Sequence, residues 1–83
     1  MPQPVPEQDK VLRYKELRNN LARHGVIEKP SRGKGSHRMF WKLIDGKPVV
    51  DFVTCHSEGQ DISRKIVRHV REKFKIPLAE FYK

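Results

Sequence analysis

One histidine, His37, stands where a basic glycine-containing loop meets an apolar run, in the ten residues RGKGSHRMFW from Arg32 to Trp41. A loop that only reverses the chain has no need of an imidazole, and neither does a strand that only fills a core. Imidazole changes charge near neutral pH and can take or give a proton, so His37 is a candidate general acid or base. Gly33 and Gly35 admit backbone geometries closed to other residues and let a ligand come close. With Arg32, Lys34 and Arg38 around them, successive N–H groups from Gly35 and Ser36 make a candidate phosphate seat. The spacing is not that of a nucleotide-binding P-loop, which needs an earlier glycine and a Ser or Thr directly after the lysine. From these residues two readings of His37 stay open: proton transfer, or contact with an anionic ligand at a rim.

Three other histidines compete with it. His24 closes a helical stretch, where the helix dipole is reason enough for its presence. His69 reads as a boundary residue beside an apolar helix face. His56 follows an apolar run and is the candidate accessory group, because a hairpin would bring it toward His37. The single cysteine, Cys55, rules out an internal disulfide framework and any Cys-x-x-Cys zinc site, and the scattered histidines lack metal-ligand spacing. No metal and no cofactor is expected.

The elements that must hold these residues follow from the patterning. Eighty-three residues suffice for one domain, and 36% hydrophobic residues are enough for a small core. Residues 1–10, with three prolines in the first six positions, read as a disordered lead-in, and 11–83 as the folded domain. Tyr14, Leu17, Leu21 and Ala22 recur at helical spacing within a helix from about Leu12 to His24, which Gly25 ends. Val26–Lys29 is a short strand stopped by Pro30. HRMFWKLI and PVVDFVTC flank Asp45-Gly46-Lys47 and read as a hairpin. Asp61 would cap a second helix, Ile62 to about Lys75, whose inward side is Ile62, Ile66, Val70 and Phe74. LAEFY then forms a last short turn or helix. The expected fold is α+β: three antiparallel strands with the helices on one face.

Charge names the partner class. Eighteen Lys and Arg against ten Asp and Glu leave a net charge of +8, which calls for an anionic partner such as RNA. Arg64, Arg68, Arg71 and Lys75 would form a straight cationic stripe on the second helix, either a solvated face or a track for phosphates. No apolar stretch has the length of a signal-peptide core or a membrane span, so a soluble cytoplasmic protein without membrane contact is expected.

The segments KELRNNLARHG, GKGSHRMF, VVDFVTCH and ISRKIVRHVREKF followed by IPLAEFY together resemble the HicA toxins, small mRNA interferases of bacterial toxin–antitoxin pairs. The resemblance covers about Tyr14 to Tyr82, and its sharpest element is the triplet Gly35-Ser36-His37 ahead of an apolar strand. It departs from the family at Val26, where an aromatic residue is frequent, and at Thr54-Cys55, where proline is frequent. It implies a fold like the double-stranded RNA-binding domain, metal-independent cleavage of mRNA with His37 as the catalytic residue, and a HicB-type antitoxin that covers the active face. The most economical reaction uses RNA's own 2′-OH, with one imidazole moving a proton. If Phe40 and Phe52 point toward the helices, Met39, Trp41 and Val53 face outward beside His37, and Met39 and Trp41 become the antitoxin interface. The same charge and fold would also serve a non-catalytic RNA-binding module or a ribosome-associated protein.

Overall fold

Asp45 and Gly46 both have positive φ, 53° and 77°, the backbone of a two-residue type I′ turn. Its twist matches that of the flanking strands, so it joins them as a tight hairpin. The structure, a computed structural model, describes residues 6–29 and 36–82. In chain order the elements are β1 (Leu12–Arg13), α1 (Tyr14–Ala22), β2 (Ile27–Lys29), β3 (His37–Ile44), β4 (Lys47–Thr54), β5 (Asp61–Ile62), α2 (Arg64–Lys73) and α3 (Leu78–Phe81). Strands β2, β3 and β4 make an antiparallel three-stranded sheet in that order, and β1 pairs with β5 in a separate two-stranded ladder. This is a small α+β domain with the expected central order of helix, three strands and helix. The β1–β5 ladder was not expected; two-residue strands carry no periodicity to read.

The helices cover one face of the sheet. Phe40 and Val53 are buried there against Tyr14, Leu17 and Leu21 of α1 and Val67 and Val70 of α2, with Phe74, Ile76 and Phe81 closing the core. Gly25 ends α1 in the left-handed conformation, φ 81°, and the Val26 N–H donates back to the Leu21 carbonyl.

Helix α2 departs from expectation at both ends and along its inward side. Asp61 lies in β5, and the N-cap is Ser63, whose hydroxyl accepts from the Ile66 N–H at 3.3 Å. Ile66 is 40% exposed, and Val67 is buried in its place. A repeat of four residues overshoots the 3.6-residue turn, so an every-fourth pattern winds off the core face within two turns. The face that stays inward is Val67, Val70, Arg71 and Phe74.

Arg71 is therefore a core residue, and a carboxylate from the amino-terminal segment neutralises it. Its Nε and Nη2 donate to the two Asp9 carboxylate oxygens, both at 2.9 Å, and Nη1 donates to the Ile76 carbonyl at 2.9 Å. Tyr82 Oη donates to Asp9 at 2.8 Å and accepts from the Lys10 N–H at 3.2 Å. Asp9 is only 4% exposed. Residues 9 and 10 are thus part of the folded domain and not of a disordered lead-in; residues 1–5 lie outside the described residues. Burial pushes the Asp9 carboxyl up, but the hydrogen bonds from Arg71 and Tyr82 and the charges of Arg71 and Arg68 outweigh it and hold its pKa below 3.8. Burial, assisted by Asp9, pushes the Tyr82 hydroxyl up to about 12 against the opposing Lys10 N–H.

Asp9→Ala leaves a guanidinium buried without its counter-charge, a loss of about 3–5 kcal/mol. Urea unfolding at pH 7 should show a destabilisation of that size. Because the folded carboxyl titrates below its ordinary value, its contribution is complete above pH 3.8 and is lost as the pH falls through the lower folded value. The wild-type and Asp9→Ala midpoints should draw together in that acid range. Equal midpoints at pH 7 would mean that Asp9 does not hold Arg71.

Candidate functional site

The hairpin register decides which side chains share a face with His37. Ile44 pairs with Lys47 across the turn, so His37 pairs with Thr54, Met39 with Phe52 and Trp41 with Val50. Cross-strand partners project to the same side, and successive residues alternate. His37, Met39, Trp41, Leu43, Val50, Phe52 and Thr54 therefore lie on the side away from the helices. Ile27 and Lys29 join them from β2, opposite Trp41 and Met39. Ile27, Leu43 and Phe52 are 47%, 53% and 56% exposed, so the open face carries uncovered apolar surface.

Met39 and Trp41 stand where the sequence placed them, but the two residues used to set the strand phase divide. Phe40 is buried and Phe52 is open, while Val53, expected outward, is in the core. With Ile44 opposite Lys47, Phe40 falls opposite Asp51, and Phe52 must take the other face. A three-residue turn, Asp45–Lys47, would have set Phe40 opposite Phe52; Lys47 instead opens β4, and the two-residue turn moves the register by one.

His37 is exposed at the first position of β3. The Ser36 carbonyl before it accepts from the Cys55 N–H at 2.7 Å, which ties the loop end to the end of β4. His56 is two residues beyond Thr54, the partner of His37, and so lies at the same end of the sheet. Its N–H donates to Gln60 Oε1 at 2.7 Å, and Gln60 Nε2 reaches the Thr54 carbonyl at 3.5 Å. Gln60, which the sequence reading passed over, thereby holds the turn that carries His56. Arg32, Lys34 and Gly35 of the candidate phosphate seat lie outside the described residues.

Arg38 is adjacent to His37 in sequence but belongs to the helix side of the sheet, a correction to its place beside the imidazole. Its guanidinium carbon is 5.6 Å from the centroid of the Tyr14 ring, and Arg18 lies 5.7 Å from the same ring. Glu58 accepts from Arg18 at 2.7 Å. Around them Tyr14 Oη, Arg38 Nε and Glu28 Oε1 are buried without a hydrogen-bond partner among the described residues. Burial pushes the Glu28 carboxyl up; the Arg38 charge opposes this and Glu58 adds to it. This polar cluster was not legible in the sequence, because its members come from α1, β2, β3 and the turn after β4.

The expected cationic stripe does not form. Arg71 is buried against Asp9, and Lys75 lies beyond α2 in a left-handed conformation, φ 57°. Arg64 and Arg68 remain exposed and line a cleft of about 350 Å³, together with Lys65, Glu7, Gln8 and Asp9. The other histidines have structural surroundings. His24 Nε2 is 3.2 Å from the Glu80 carbonyl, and its ring stacks on Phe81. His69 Nε2 is 3.4 Å from Asp51 Oδ2.

Among the described residues no three His, Cys, Asp or Glu side chains gather as a metal site, and no helix is long and apolar enough to cross a membrane. No protein-family model, curated protein or solved structure matches the chain.

Glu28 yields a test of the cluster. Its folded pKa is raised above 4.5, so its contribution to stability is complete below that pH and is lost as the pH rises through the folded value. Glu28→Gln removes the cost of a buried charge. The variant should match or exceed the wild type in urea midpoint at pH 7, with the advantage gone below pH 4.5. A variant less stable than the wild type at pH 7, with the deficit fading below pH 4.5, would show that the carboxylate is held by a favourable partner.

Proposed function

We propose that this chain is a HicA-type toxin, a metal-independent endoribonuclease that cleaves mRNA in the cytoplasm and is neutralised by a HicB-type antitoxin. The observation that carries the reading is the position of His37: exposed, at the junction of the basic loop and β3, on a sheet face whose described residues include no carboxylate. The succession α1, β2, β3, β4, α2, with both helices on the opposite face, supports a fold like the double-stranded RNA-binding domain. The net charge of +8 supports an RNA partner.

The chemistry needs one proton-transfer group. The ribose 2′ oxygen attacks the adjacent phosphorus, the bond to the 5′ oxygen breaks, and the products are a 2′,3′-cyclic phosphate and a 5′-hydroxyl. His37 either takes the 2′ proton or supplies one to the leaving 5′ oxygen, and His56, at the same sheet end, is the accessory candidate for the other transfer. The seat for the scissile phosphate is assigned to the loop, with Arg32, Lys34, Gly35 and Ser36. Of the four cations expected in the stripe, Arg64 and Arg68 are the two that α2 leaves exposed to meet flanking phosphates. Met39 and Trp41, joined by Phe52, offer the apolar surface an antitoxin would cover.

Purified protein should cleave RNA in the presence of EDTA, and His37→Ala should lower turnover by about 10²–10⁴-fold while RNA binding persists. A strand with deoxyribose at the scissile nucleotide should bind and resist cleavage. Cleavage by His37→Ala at the wild-type rate would remove His37 from the chemistry, and cleavage of the deoxy bond would remove the 2′-OH mechanism. Binding by every sample with cleavage by none would leave a non-catalytic RNA-binding module. In the same preparation Arg68→Ala should shallow the slope of log K against log salt by about 0.7 for single-stranded RNA. An unchanged slope would return Arg68 to the solvated surface.

A further inference from the structure

The open face carries more ring surface than proton transfer requires. Trp41 and Phe52 both lie on it, from neighbouring strands, with Met39 directly opposite Phe52. Phe52 is 56% exposed, although the same domain buries Phe40, Phe74 and Phe81 completely or nearly so. A phenylalanine left this far in water on an otherwise well-filled domain points to something that covers it.

The charge on this face indicates what that is. Its described ionisable side chains are Lys29 and His37. The strand carboxylates Glu28 and Asp51 fall at the alternate positions and belong to the helix side. Lys29 Nζ stands 4.2 Å from the centroid of the Trp41 ring. A surface cation–π contact is weaker than a base stacked on the same ring, and a lysine on a flexible stem can swing to a phosphate when a base arrives. Along β3, alternate residues are on the order of 7 Å apart, so His37, Met39 and Trp41 form a row that an extended nucleic-acid strand can follow.

We propose that this face is a stacking platform for unpaired RNA bases, with Trp41 and Phe52 as the ring contacts and Lys29 as the phosphate contact, so that the substrate is single-stranded RNA. The inference rests on the ribonuclease reading for the role of His37 at the end of the row. Bases paired in a duplex have their π-faces stacked on one another and cannot reach the rings; unpaired bases can. A strand threaded across Phe52 and Trp41 toward the Ser36–His37 end presents its backbone to the imidazole. An antitoxin docked on the same face would then inhibit by exclusion of the bases as well as by cover of His37.

Trp41 is the single tryptophan of the chain, so its emission reports the platform directly. The probe is a 2′-O-methyl oligonucleotide of mixed sequence, about 12 nucleotides long, within the span one small domain engages. It lacks the free 2′-OH and cannot be cleaved. The single strand should quench Trp41 emission and the duplex of the same sequence should not. Phe52→Ala, at an exposed position, should weaken binding about tenfold, and Phe52→Tyr should restore it. Equal quenching by the duplex, unchanged affinity of Phe52→Ala, or RNA binding without any change in emission would each overturn the platform. So would self-association through this face, read as an emission change on concentration and a dimer in sedimentation without RNA. Cleavage of unmodified RNA separates this from the reading on which it rests. Quenching without cleavage would retain the platform and end the nuclease assignment, whereas cleavage by Phe52→Ala with wild-type KM would do the reverse.

Discussion

The Asp45–Gly46 turn is the constraint from which the rest of the sheet follows. Two residues with positive φ close the hairpin in one register, with Ile44 opposite Lys47. Side chains alternate with a period of two, so that single pairing assigns every residue of β3 and β4 to a face. A slip of one position, with Ile44 opposite Pro48, would bring Phe52 onto the face of Phe40 and turn Val53 outward. That Phe52 and not Val53 shares the open face with His37 is thus a consequence of a turn at the far end of the hairpin.

A second constraint joins the two ends of the described chain. Asp9 accepts from Arg71 and Tyr82, and Tyr82 accepts from the backbone of Lys10. The network holds the segment before β1 against α2 and the turn after α3. It also changes the electrostatics of α2. A helix whose sequence spaces cations along one side keeps only Arg64 and Arg68 of the named four on its exposed surface, because Arg71 is spent on an internal carboxylate. The excess of positive charge is therefore not spread as a stripe. At the start of α2 Arg64, Lys65 and Arg68 remain beside a cleft that Asp9 also lines.

The two faces of the sheet differ in kind. The helix side is closed and mixed in charge, with Tyr14 between two guanidinium groups and with Glu28 and Glu58 at its edge. The open side is apolar and aromatic, with a lysine and a histidine. On the function proposed above, an anionic strand would lie on the open face, with the helices as a support behind it. The unpartnered atoms of Tyr14, Arg38 and Glu28 lie on the support side, immediately behind the strand ends that carry the site. A buried carboxyl whose pKa is raised is the usual sign of a position where stability has been given up.

The sequence alone determined the succession of a helix, three strands and a helix, the hairpin turn, the left-handed end of α1 at Gly25 and the place of His37 at the start of a strand. These are local properties: turn chemistry, capping and short-range periodicity act between residues a few positions apart. The faces of the hairpin were not determined there, because they depend on whether Lys47 belongs to the turn or to β4, and apolar residues on both sides of HRMFWKLI hide the phase. Only the tertiary structure decided that Arg71 is internal, that Asp9 belongs to the fold, that β1 pairs with β5 and that Arg38 stands with Tyr14 rather than with His37. Each of these depends on groups that meet from distant parts of the chain. No local pattern says which carboxylate will be within 3 Å of a given guanidinium once the core has closed.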